Sequence, residues 1–306
     1  MAQVQANGIT IEYEQHGEGE PLLLIMGLGG QLTDWPDGFV ELLVEAGFQV
    51  TTFDNRDMGH STELDWVPPK PAKAVIGALA KRPAKVGYTI PDMARDAAEL
   101  MDAIGLAAAH VVGMSMGGMI AQQLTIDRPD KVRSLTSIMS HPGDGKSGRI
   151  AGKVMMKMAR RPRATADTAV DLSVEGFKLW SGPHFDPDEH RVRTQASVDR
   201  SFRPQGTERQ TAAIMASPDR TAGLNQVTVP TLVIHGFHDR LVKPSGGIAT
   251  AAAVPGSRLI MYPDMGHDLP RPRWAEMVEE IRRNADRADA GAPASTGIQR
   301  PADRSS

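Results

Sequence analysis

The sequence predicts an α/β fold: a mostly parallel sheet flanked by helices, with one inserted helical segment. Three observations predict it. Short apolar runs at 22–26, 49–53, 110–112, 132–139 and 229–234 are strand-length and alternate with stretches of helical composition. Between 141 and 222 the strand-like runs stop, and segments rich in Met, Arg and Ala appear, broken by Pro162, Pro183, Pro187, Pro204 and Pro218. Finally, Gly113-Met114-Ser115-Met116-Gly117 lies between a strand-like and a helix-like stretch, the setting of a nucleophile elbow.

The chain opens with a hairpin. Val4 to Ala6 and Ile9 to Glu14 flank Asn7-Gly8, the preferred pair for a type I′ turn. Leu22 to Met26 is apolar throughout, as a strand covered on both faces should be. It runs into Gly27-Leu28-Gly29-Gly30, a loop at the sheet edge where ligands bind in open α/β folds. A helix over 39–46 and a strand over 49–53 lead to the charged loop Asp54 to Ser61. The Pro-, Lys- and Ala-rich insertion 66–85 reads as a solvated helix in preference to a membrane-surface contact. Pro91 starts a helix over 93–104, the elbow follows, and 132–139 is the next strand. After the helical insert, 229–234 resumes the sheet, 258–262 is the last strand, and 274–283 is a final amphipathic helix. The expected organisation is a core over 1–140, a helical cap over 141–222, the rest of the core over 223–284, and a disordered tail over 285–306, which lacks any apolar period.

Composition narrows the function. The 306 residues carry a net charge of −3, so nothing electrostatic points to nucleic acid. There is no cysteine, which removes disulfides, thiolate metal sites and a cysteine nucleophile. Residues 1–8 show no signal-peptide pattern and no window holds 18 consecutive apolar residues, so a cytoplasmic protein is expected.

A serine hydroxyl needs a base to attack at neutral pH, and the base needs an acid to orient it. Asp239 follows the strand that ends at Ile234, and His267 follows the strand over 258–262, with Gly266 letting that loop turn. They lie 124 and 28 residues further along, in the order Ser115, Asp239, His267. His60, His141 and His238 are rival bases near the same edge. Asp264 and Asp268 stand too close to His267 in sequence for easy approach and rank below Asp239. Two amides are expected to bind a developing oxyanion: Met116, directly after the serine, and Leu28 in the first loop. No cofactor or metal is expected.

These stretches resemble the α/β-hydrolase-fold serine esterases and lipases, in particular the actinobacterial group containing aclacinomycin methylesterases and mycobacterial lipase-type carboxylesterases. The matching segments are LLLIMGLGG (22–30), FDNRDMGHST (53–62), HVVGMSMGGMIAQ (110–122), VPTLVIHGFHD (229–239) and PDMGHDLP (263–270). The resemblance implies an eight-stranded sheet with the cap between strands six and seven. It also implies ester cleavage through an acyl-enzyme. Where many members open the oxyanion loop with His-Gly, this chain has Met26-Gly27. The nucleophile position separates it from dehalogenases and epoxide hydrolases, which carry aspartate there. Phe177, Trp180, Phe185 and Phe202 in the cap, with several methionines, are expected to form an apolar pocket that favours a medium acyl chain or a hydrophobic ester over a small polar one. A lactonase, thioesterase, carbon–carbon bond hydrolase or cofactor-free perhydrolase would use the same three residues. A non-catalytic receptor could share the fold.

Overall fold

The structure, a computed structural model, describes residues 1–69 and 85–290. Most of the insertion expected over 66–85, and the greater part of the tail expected over 285–306, lie outside the described residues.

Strands β1 (Ala2–Ala6) and β2 (Ile9–His16) form the hairpin around Asn7 and Gly8, which have φ of 48° and 74°. The sheet continues through β3 (Glu20–Ile25), β4 (Phe48–Phe53), β5 (Ala109–Met114), β6 (Val132–Ile138), β7 (Thr231–Gly236) and β8 (Arg258–Tyr262). The eight strands are ordered β1-β2-β4-β3-β5-β6-β7-β8. β2 runs antiparallel to both β1 and β4, and every other pairing is parallel. The C-terminal ends of β3, β5, β7 and β8 therefore open on one edge.

Each face of the sheet is covered, which explains the unbroken apolar runs in its central strands. Helices α2 (Ile90–Ala103) and α3 (Met116–Asp127) bury Met93, Ala97, Leu100, Ile120 and Leu124 against Leu23, Ile25 and Val111. On the other face α1 (Asp37–Glu45) contributes Phe39 and Leu43, which pack with Leu22, Leu24, Val112 and Ile234. The last helix shares that face and runs longer than its sequence suggested, from Trp274 to Asp289 instead of ending near 283. Asn284 is fully buried and donates to the Leu135 carbonyl at 3.0 Å, and Ala285 is buried beside it. An asparagine followed by alanine hides the apolar period although both face the core.

Between β6 and β7 the chain is helical: α4 (Gly152–Ala159), α5 (Ala166–Trp180), α6 (Pro187–Arg200), α7 (Pro204–Ala216) and the short α8 (Thr221–Leu224). The sheet ends with α9 (Ser245–Ala253) between β7 and β8, and α10 is the helix Trp274–Asp289. The inserted helices attach to the sheet through charge. The Asp54 carboxylate, fully buried, accepts from Leu32 N, His60 N and Arg200 Nη2, the last at 2.8 Å. Asp57 accepts from Arg209 Nε at 2.9 Å, from Leu64 N and from Tyr88 Oη. The loop 54–61, charged and glycine-containing in sequence, is an interior junction.

Candidate active site

Ser115 occupies the turn between β5 and α3 with φ 56° and ψ −118°. A side chain in that region stores roughly 1–3 kcal/mol of strain, and here neighbouring contacts enforce it. The Ser115 amide donates to the Ile138 carbonyl of β6 at 2.9 Å. The two flanking glycines are sterically required: a Cβ on Gly113 would fall 2.1 Å from the Gly117 carbonyl oxygen, and one on Gly117 would fall 1.9 Å from the Ile25 carbonyl oxygen. The helix thus packs directly on the end of β3, and only a residue without a side chain admits that approach.

The three residues expected from the sequence come together. His267 Nε2 is 2.9 Å from Ser115 Oγ, and His267 Nδ1 is 2.7 Å from Asp239 Oδ2. A carboxylate opposite Nδ1 fixes the proton there, so Nε2 is left to accept from the serine hydroxyl. Asp239 is 2% exposed, and its second oxygen accepts from the Leu241 and Val242 amides at 2.9 and 2.8 Å. Burial pushes its carboxyl up, but the facing His267 and His235 rings outweigh that and hold it below the ordinary carboxylate value. The His267 amide donates to the Trp180 carbonyl at 2.7 Å, so the inserted helices and the histidine loop are directly joined.

The rival residues are engaged elsewhere. His60 bridges Glu12 and the Arg200 carbonyl, and His141 Nδ1 accepts from Gly143 N. His238 is exposed. Asp264 pairs with Arg273 and His184. Asp268 accepts from the Gly182 and Gly266 amides and shapes the loop around His267.

Leu28 lies in the loop after β3, whose Gly27 faces the serine: a Cβ there would sit 3.3 Å from Ser115 Cβ. Met116 opens α3, where the Gly118 and Met119 amides turn back to the Ser115 carbonyl and the earlier amides have no intrahelical acceptor. Three residues around these positions escape sequence reasoning. Asn55 donates to the Met26 carbonyl at 3.0 Å. Gln210 of α7, fully buried, accepts from Gly29 N and donates to the Arg56 carbonyl, both at 2.9 Å. The peptide units on either side of Gly27-Leu28 are therefore held by side chains from two other segments. His235, also fully buried, donates from Nε2 to the Val242 carbonyl at 2.8 Å and lies 3.4 Å from Asp239 Oδ2. The signal for His235 was its place in the 229–239 segment. Asn55 likewise stands in the matching 53–62 segment, whereas nothing local marks Gln210.

Of the four aromatics expected to line a pocket, Phe177, Trp180 and Phe185 cluster on one another and on His190, whose ring is 4.0 Å from Phe177. Phe202 is outside that cluster. Among the described residues no group of three or more His, Asp or Glu side chains is placed to hold a metal ion, and no helix is long and apolar enough to cross a membrane.

Known proteins fit this geometry. Rhodomycin D methylesterase DnrP of Streptomyces peucetius is 31% identical over 275 residues, covering 82% of this chain and 85% of that protein. The RutD protein of Variovorax paradoxus, provisionally named a carbamate hydrolase, is 30% identical over 266 residues, covering 85% and 90%. The solved structure of a thermophilic esterase from Thermogutta terrifontis superposes with a TM-score of 0.69 at 22% identity, over 94% of this chain and 99% of that one. Residues 20–270 match the alpha/beta hydrolase fold family as a whole, and with the elbow, the sheet order and these relatives in agreement, the chain belongs to that family.

Proposed function

We propose that the protein is a serine hydrolase that cleaves carboxylic esters through an acyl-enzyme on Ser115. The observation that carries this reading is the continuous hydrogen-bonded chain from Ser115 Oγ through His267 to Asp239. The likeness to a methylesterase supports an ester as the substrate class.

In this reading Ser115 Oγ attacks the ester carbonyl carbon while His267 Nε2 takes its proton. Asp239 stabilises the imidazolium and does not itself become protonated. The negative charge on the former carbonyl oxygen is met by the Leu28 and Met116 amides, donors whose individual loss typically costs about 10²–10³ in turnover. When the tetrahedral intermediate collapses, the carbon–oxygen bond to the alcohol breaks and His267 returns its proton to that alcohol. Water then repeats the sequence against the acyl-enzyme, with His267 as base, and releases the acid and free Ser115. The segment 141–222 serves as the substrate cap, and its aromatic cluster favours a hydrophobic ester.

The test is hydrolysis of p-nitrophenyl esters of graded chain length and of an aryl carbamate, with wild type beside Ser115→Ala. Ester turnover with a chain-length optimum, abolished by Ser115→Ala, is the expected result. Turnover that survives the substitution removes Ser115 from the mechanism. Carbamate cleavage with no ester cleavage would move the substrate class to the one RutD is named for.

A further inference from the structure

Helix α4 is almost unsupported. Of its residues only Val154 is buried, while Met155, Met156 and Met158 are 56%, 57% and 37% exposed. Methionines left in water on one short helix are an unmet apolar face. The polar side of the same helix is cationic. Lys153, Lys157 and Arg160 follow one another at intervals of four and three, which places them in a single stripe. None of the three is in an ion pair among the described residues.

The surrounding sequence extends that charge. Residues 146–163 contain Lys146, Arg149, Lys153, Lys157, Arg160, Arg161 and Arg163 and no acidic residue, in a chain whose net charge is −3. The segment is also held beside the catalytic loop. The Ala151 amide donates to the Arg240 carbonyl at 2.8 Å, one residue past Asp239, and Ile150 next to it is exposed.

We propose that α4 is an interfacial docking surface for an anionic lipid bilayer. Methionines enter the acyl–headgroup boundary while the flanking lysine and arginine stems snorkel to lipid phosphates. Charge complementarity selects the occupant: a neutral surface would satisfy the methionines and leave the Lys153, Lys157 and Arg160 stripe without an ion-pair partner, whereas a soluble polyanion would satisfy the cations and leave the methionines in water. The site does not depend on the hydrolase reading, since vesicle binding is measured without turnover.

The experiment is co-sedimentation of the full chain with vesicles of phosphatidylcholine alone and of phosphatidylcholine mixed with phosphatidylglycerol. Binding to the mixed vesicles, little binding to the neutral ones, and release at high salt are expected. The Lys153→Glu, Lys157→Glu, Arg160→Glu variant should bind the mixed vesicles at least about tenfold more weakly. The Met155→Ser, Met156→Ser, Met158→Ser variant should weaken binding while leaving its salt dependence in place. Both variants should keep the wild-type circular dichroism spectrum and urea midpoint, so that weaker sedimentation reports lost binding and not lost fold. Wild-type protein that binds neither vesicle, or binds both equally, overturns the proposal. A methionine variant that binds as tightly as wild type also overturns it and leaves a polyanion site in its place.

Discussion

His267 Nδ1 and Asp239 Oδ2 stand 2.7 Å apart in the candidate site, and the consequence of that contact is sharply testable. Replacing the carboxylate by an amide in Asp239→Asn puts a donor opposite a donor and favours the wrong imidazole tautomer. Turnover should fall by about 10³–10⁴ with KM little changed. Asp268→Asn should cost far less, because that carboxylate holds the Gly182 and Gly266 amides and does not touch His267 Nδ1. Steady-state kinetics on both variants decides the point, and equal losses would show that loop shape, not the acid, is what Asp239 supplies. A second residue-scale prediction concerns acid. Burial pushes His190 down to about 4, so it stays neutral in the fold while it would titrate near 6.5 when unfolded. Between those values the unfolded chain binds more protons, so stability is lost as pH falls from about 6.5 towards 4, by roughly 3 kcal/mol at most. Urea midpoints measured across that range should converge for wild type and His190→Gln if the ring is responsible, with the variant's profile the flatter one.

At the scale of elements, the tightest constraint is the contact of α3 with the end of β3. A Cβ at position 117 would overlap the Ile25 carbonyl oxygen, an atom fixed by the sheet. Gly117→Ala should therefore cost about 3 kcal/mol or more and move the serine turn, lowering the denaturant midpoint and the turnover together. A variant of normal stability and activity would mean that the turn relaxes freely. The elements themselves were legible because each covers a face: the apolar runs at 22–26 and 110–112 announce strands buried on both sides, and Asn7-Gly8 announces its hairpin. Ser115, Asp239 and His267 were legible for a related reason, since parallel strands deliver their following loops to one edge. The rest was hidden by distance along the chain. Arg209 meets Asp57 from 152 residues away, and Gln210 meets Gly29 from 181 residues away. No local pattern marks such pairs, so the sequence shows the charged loop 54–61 and the arginines of the insert without showing that they meet.

For the whole molecule, those buried pairs determine how the inserted helices relate to the sheet. Arg209 and Asp57 are 3% and 0% exposed at the side chain, and Asp54 with Arg200 forms a second such junction. Charges this far from water are costly to separate, so α6 and α7 should come away from the sheet only when the sheet itself unfolds. Arg209→Leu tests this by leaving Asp57 buried with its main cation gone. A loss of about 3–5 kcal/mol is expected, because the uncompensated carboxylate costs more than the pair contributed. Adding Asp57→Asn should restore much of that loss, since an amide can still meet Leu64 N and Tyr88 Oη without a net charge. Equilibrium unfolding should show one transition in all three proteins, read alike by circular dichroism and by loss of turnover. An earlier, separate loss of turnover in wild type, with the sheet still folded, would instead make the insert a detachable lid. The same result would make release of the helices as a body the opening step of substrate entry.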